Sequence, residues 1–162
     1  MSLQKVAFGA GCFWGTEKFF VKQFAKAINQ VKVGYMGGSS KNPSYRDVCT
    51  GQTGHAEVLY LEYKPEEVKF EDLVEYFFRM HDPTTLNRQG NDQGTQYRSA
   101  IFYYTEEQKA AAEKVKKDIS SKVKGEIVTE IAPASEFYVA EDYHQKYLEN
   151  NPGGYCNHRL RW

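Results

Sequence analysis

The chain has 162 residues, with 21 Lys plus Arg against 21 Asp plus Glu and a formal net charge of zero. That length suits one domain, expected over residues 1–162, and the charge balance argues against nucleic acid or an anionic membrane surface as partner. No run approaches the roughly 18 apolar residues of a membrane span, and the first five residues lack signal-peptide architecture, so the expected compartment is cytoplasmic.

Taken in chain order, residues 4–9 read as a buried strand. A small-residue turn, Gly9-Ala10-Gly11, then hands the chain to a helix over residues 13–25, where Phe13, Glu17, Phe20, Val21 and Phe24 follow the helical repeat. Residues 30–36 alternate as a strand does, and residues 56–63 form another that ends before Lys64-Pro65. Residues 70–80 form an amphipathic helix with Phe70, Leu73, Val74, Phe77 and Phe78 on one side. Residues 98–104 read as a strand, and Thr105-Glu106-Glu107-Gln108 is a capping box opening a helix to about residue 122. A strand over 126–132 and a short helix over about 141–149 complete the series.

The first six elements run β-α-β-β-α-β, the ferredoxin-like order, with helices on one face of an antiparallel sheet. The expected fold is α+β: a two-layer plait with a C-terminal extension and a long irregular tail. Two connections, 37–55 and 81–97, lack regular pattern yet carry Tyr, Asn, His, Arg and Asp among glycines. Loops of that length in a compact domain are usually functional or disordered, and this content is not that of disorder.

Cys12 sits at the first turn of the first helix, between Gly11 and the pair Phe13-Trp14. A helix N-terminus presents unpaired N–H groups and a partial positive charge, which favours thiolate over thiol. A free thiol with pKa about 8.5 is only a few per cent ionised at neutral pH, so a lowered value would make Cys12 a nucleophile. The plainer reading is a small core residue. Three cysteines, Cys12, Cys49 and Cys156, without a C-x-x-C, make neither a disulfide framework nor a zinc ribbon. They fit reactive thiols in a reducing compartment.

Other candidates cluster around specific phrases. Glu57 opens a strand between Ala56 and Val58; facing a pocket, it would hold a proton at neutral pH, whereas on an edge it would be an ordinary exposed carboxylate. Asp92 and Tyr97 lie in the dense polar loop from Asn87 to Ser99, which also reads as turn chemistry. Tyr45 follows Asn42-Pro43-Ser44 in a loop, as a cover or a donor. Cys156 stands in a glycine-flanked tail, where a resolving thiol would be accessible. Cys49, after Val48, reads as a buried bystander. His55, His81, His144 and His158 lack metal-ligand spacing and are assigned structural or supporting roles; no metal and no cofactor is expected.

In order, these phrases are Gly11-Cys12-Phe13-Trp14-Gly15, Gly34-Tyr35-Met36-Gly37-Gly38, Asn42-Pro43-Ser44-Tyr45, Gly51-Gln52-Thr53-Gly54-His55-Ala56-Glu57 and His81-Asp82-Pro83-Thr84-Thr85. The run from Asn87 to Ser99, then Ala140-Glu141-Asp142-Tyr143-His144 and Asn151-Pro152, follow. Across almost the whole chain this resembles the A-type peptide methionine sulfoxide reductases. The resemblance implies that Cys12 attacks the sulfur of methionine sulfoxide and that Glu57 protonates its oxygen. It implies that Tyr45 and Tyr97 hydrogen-bond that oxygen, that Asp92 holds the substrate's backbone N–H, and that Phe13 and Trp14 form the S-methyl pocket.

The substrate would be the S epimer, in oxidised proteins and peptides and also as the free amino acid, and the chain a monomer. The product of attack is a Cys12 sulfenic acid, which Cys156 would resolve to a disulfide that thioredoxin or a similar dithiol reduces. Many members carry two recycling cysteines in the tail; one here speaks against a two-disulfide relay. A Cys12–Cys49 bond stays open. Two rival readings are a thiol peroxidase or disulfide oxidoreductase, and a plait domain that only binds oxidised methionine.

Overall fold

The structure, a computed structural model, describes residues 3–90, 92–141, 144, 145, 158 and 160. Its spine is a six-stranded sheet. The strands are β1 (Gln4–Ala10), β2 (Ile28–Met36), β3 (Ala56–Tyr63), β6 (Ser99–Tyr103), β7 (Glu130–Pro133) and β8 (Tyr138–Val139). They lie in the order β7-β6-β1-β3-β2-β8, antiparallel except for the β6–β7 pair. The inner four reproduce the plait expected from the β-α-β-β-α-β order. The main helices are α1 (Phe13–Phe24), α3 (Phe70–Met80) and α4 (Glu106–Ile119).

Strand alternation divides the sheet into two faces. Val6 and Phe8 of β1 join the larger core with Phe20, Leu59, Leu61, Leu73, Phe77 and Ile101, where the Phe8 ring stacks on Phe20 and Phe77 at 5.0 and 5.1 Å. Each such side chain removed from water contributes about 1.5–3 kcal/mol. Ala7, Met36, Ala56, Val58, Ala100 and Phe102 face the other way. That face is covered by the segment before β8: Phe137 stacks on Tyr60 at 5.1 Å. Gly34 makes this cover possible, because a Cβ there would meet the Tyr138 carbonyl at 2.2 Å.

Four differences from the sequence reading have local causes. The 37–55 connection contains a short helix, α2 (Tyr45–Cys49), closed by reciprocal Ser44 and Asp47 hydrogen bonds. The 81–97 connection contains a small hairpin, β4 (Arg88–Gln89) with β5 (Asp92–Gln93), and a 3-10 turn over Thr95–Tyr97. The strand expected from residue 126 begins only at Glu130, because the Val128 amide is taken by the Pro83 carbonyl. Thr105 caps α4 through the Gln108 amide, yet the Gln108 side chain reaches back to the Tyr104 amide rather than closing the box on Thr105. The helix expected over about 141–149 lies mostly outside the described residues.

Candidate active site

The turn between β1 and α1 is built to present one side chain. Gly11 has φ +88°, and a Cβ there would sit 2.6 Å from the Gln89 Cβ, so only glycine fits. Gln89 lies beneath it, clamped to the backbone of Asp82 through both ends of its amide, at 2.7 and 2.8 Å. The His158 ring, through Nε2, holds the Ala10 carbonyl. Cys12 follows as the residue that caps α1, and it is 8% exposed.

The electrostatics of Cys12 reverse the expectation. Burial pushes its thiol well above the ordinary value, and the nearby Glu57 and Asp92 carboxylates push the same way. The Trp14 and Gly15 amides at the helix start pull it down, as the helix argument requires, but they are outweighed. Together these effects favour the neutral thiol over the thiolate.

Glu57 stands on β3 opposite Tyr35 of β2 and is 1% exposed. It faces inward, not out from an edge. Its Oε1 accepts from the Phe13 amide at 3.3 Å, and its Oε2 has no hydrogen-bond partner among the described residues. Burial raises its pKa to about 8, only partly offset by the Phe13 amide and assisted by Asp92. A carboxylic acid thus sits next to the thiol with one oxygen uncommitted.

Aromatic rings wall the site. Phe13 lies 5.8 Å from Tyr35, 6.2 Å from Tyr45 and 5.4 Å from His144. Trp14 donates from Nε1 to Nδ1 of His144 at 3.0 Å, and the Tyr45 and His144 rings approach to 4.4 Å. Burial lowers the His144 pKa against the pull of Glu141, which suits the neutral tautomer that this bond demands. Tyr97, at the end of the 3-10 turn, is half-buried; burial, then Glu57, pushes its hydroxyl up, keeping it a donor. Asp92 is raised by burial, and its Oδ2 has no hydrogen-bond partner among the described residues.

Cys12, Phe13, Trp14, Tyr45 and Glu57 are thus adjacent, with Tyr97 and Asp92 within electrostatic reach of Cys12 and Glu57. Cys156 lies outside the described residues. Cys49 is a correction: it is exposed at the end of α2, because the helix turns Val48 inward and leaves the next position on the surface. Burial pushes its thiol above the ordinary value, and the neighbouring Tyr45 hydroxyl opposes that shift. Tyr35, Glu141 and His144, which brace the aromatic wall, carry no separate signal in the sequence beyond standing inside recognisable phrases. Among the described residues, no group of three His, Cys, Asp or Glu side chains is placed to hold a metal ion, and no helix is long and apolar enough to cross a membrane.

The family model "Peptide methionine sulfoxide reductase" matches residues 4–162. The chain belongs to the peptide methionine sulfoxide reductase A family. It is therefore an oxidoreductase of the class that reduces methionine sulfoxide. The enzyme named peptide methionine sulfoxide reductase MsrA from Methanothermobacter thermautotrophicus is 52% identical over 155 residues, covering 94% of this chain and 90% of its own length. The reduced form of Mxr1 from Saccharomyces cerevisiae superposes with a TM-score of 0.95 at 41% identity, over 99% of this chain and 93% of that one. Mxr1 in complex with Trx2 matches with a TM-score of 0.69 at 28% identity, over 99% and 91%.

Proposed function

We propose that this protein reduces methionine-S-sulfoxide, in proteins and as the free amino acid, through a Cys12 sulfenic acid. The single observation that carries the chemistry is the uncommitted Oε2 of a neutral Glu57 beside Cys12. A sulfoxide oxygen leaves poorly unless protonated, and a buried carboxylic acid is a proton source at neutral pH. Tyr45 and Tyr97 supply hydroxyl donors where charge develops on that oxygen. Phe13 and Trp14 form the wall for the S-methyl group, and Asp92 Oδ2 receives the substrate's backbone N–H.

The raised Cys12 pKa fits a site armed by its substrate. A sulfoxide that takes the Glu57 proton becomes a cation beside the thiol, and an opposite charge favours thiolate. The thiol proton passes to the carboxylate left on Glu57, and the sulfur attacks. In balance, thiol plus sulfoxide gives sulfenic acid plus thioether: oxygen moves to Cys12, and the methionine sulfur regains its electron pair. The Cys156 thiol then displaces water from the sulfenic acid to form a disulfide, and a dithiol such as thioredoxin reduces it. The complex of the relative Mxr1 with Trx2 supports that partner.

The test uses separated R and S sulfoxides with thioredoxin or dithiothreitol. Wild type turns over the S epimer alone, and Cys12→Ser turns over neither with either reductant. Cys156→Ser yields one methionine per enzyme and then stops with thioredoxin. Turnover by Cys12→Ser would overturn the mechanism; full thioredoxin cycling by Cys156→Ser would move the resolving role to Cys49.

A further inference from the structure

Helix α2 carries Tyr45 as its first residue, yet five residues cannot hold a helix by themselves. Ser44 and Asp47 satisfy each other's amides at its start and leave the Tyr45 N–H unpaired within the helix. Glu141 takes it: Oε2 accepts from the Tyr45 amide at 3.1 Å, while Oε1 accepts from the Tyr35 hydroxyl at 3.1 Å. Tyr35 is fully buried on β2 with its ring against Phe13. One carboxylate therefore ties the start of α2 to a fixed point in the core.

The segment bearing Glu141 is itself anchored. The Ala140 amide donates to the Val33 carbonyl at 3.0 Å, and the Gln145 side chain engages both the amide and the carbonyl of Val33 at 2.9 Å. His144, whose ring packs on Tyr45, donates its amide to the Glu141 carbonyl at 2.9 Å. From these contacts we infer that Glu141 is a positioning residue: its carboxylate holds the Tyr45 amide against Tyr35 and so fixes where the Tyr45 hydroxyl stands over the reacting oxygen. This rests on the reading of Tyr45 as an oxygen-site donor.

The experiment is a double-mutant cycle of Glu141→Ala with Tyr45→Phe, read as kcat/KM for methionine-S-sulfoxide. It is paired with the fluorine NMR resonance of 3-fluorotyrosine at position 45. Each single variant is expected to lose about tenfold, the scale of one hydrogen bond to a charged transition state, and the double variant no more than either alone. Glu141→Gln is expected to restore most activity, because its carboxamide offers one acceptor to the Tyr45 amide and one donor to the Tyr35 oxygen.

The position-45 resonance shifts in Glu141→Ala and stays in place in Glu141→Gln. An unmoved resonance, additive losses, or a Glu141→Gln variant as poor as Glu141→Ala would overturn the inference. A silent Tyr45→Phe with a shifted resonance would instead overturn the oxygen-site reading of Tyr45 and leave the link standing. Should Glu141→Ala not fold, Glu141→Asp, too short to span both donors, takes its place.

Discussion

Glu57 and Glu141 approach the same aromatic cluster from two sides, and their surroundings treat the same functional group in opposite ways. Glu57 is sealed from water, receives one amide at 3.3 Å and keeps one oxygen unpaired; burial wins, and its pKa rises to about 8. Burial also pushes Glu141 upward, but its own amide, the Tyr45 amide, the Tyr35 hydroxyl and neighbouring His144 outweigh it and hold it below the ordinary carboxylate value. A carboxyl with too few donors keeps a proton to give away, whereas one with enough donors stays charged and holds structure.

The sharpest way to break this comparison is Glu57→Gln, which keeps the shape and removes the acid. Loss of a general acid costs about a hundredfold or more in kcat/KM, measured in single turnover with methionine-S-sulfoxide. The wild-type rate is expected to decline as pH rises through about 8, where Glu57 loses its proton, and the variant to lack that decline. A second consequence concerns stability. The folded pKa of Glu57 lies above its unfolded value of 4.5, so the folded state binds the extra proton between pH 4.5 and about 8. Stability attributable to this group is full below that window and falls as pH rises through it. Glu57→Gln is thus expected to melt several degrees higher than wild type at pH 9, with the advantage narrowing towards pH 5, in calorimetric scans.

The comparison extends to the two described cysteines. Alkylation of Cys12 by iodoacetamide at pH 7 is expected to run severalfold slower than that of a free cysteine, since burial opposes the thiolate. Glu57→Gln should speed alkylation at pH 9, where the wild-type carboxylate is charged. The smallest effect is expected for Cys49→Ala. It stands exposed at the end of α2, so steady-state rates with dithiothreitol should stay within about twofold, the scale of a surface substitution.

Much of the scaffold was readable because its elements are long and periodic. Phe70, Leu73, Val74, Phe77 and Phe78 announce α3, and the alternation in β2 and β3 announces the central strands. Helix α2 gives no periodic signal because five residues carry no period, although Ser44 followed three residues later by Asp47 is a capping signal. The β4–β5 hairpin is two residues a side, below what alternation can reveal. Glu57 was legible as a candidate, but whether it faced a pocket or an edge depended on β3 lying between β1 and β2. For Cys49 the apolar neighbour Val48 suggests burial, but the short helix decides which of the two faces inward, and it is Val48.

By itself the sequence determined the plait order, the turn that presents Cys12 and the family to which the chain belongs. These rest on local steric rules and on residue types that stand in fixed succession along the chain. Only the tertiary structure decided the protonation of the site. The helix start at Cys12 argues for a thiolate, yet burial, with the Glu57 and Asp92 carboxyl groups brought near from distant segments, pushes its pKa well above the ordinary value. Desolvation and charge–charge interaction depend on what packs around an atom from distant parts of the chain, and no stretch of neighbouring residues encodes that sum.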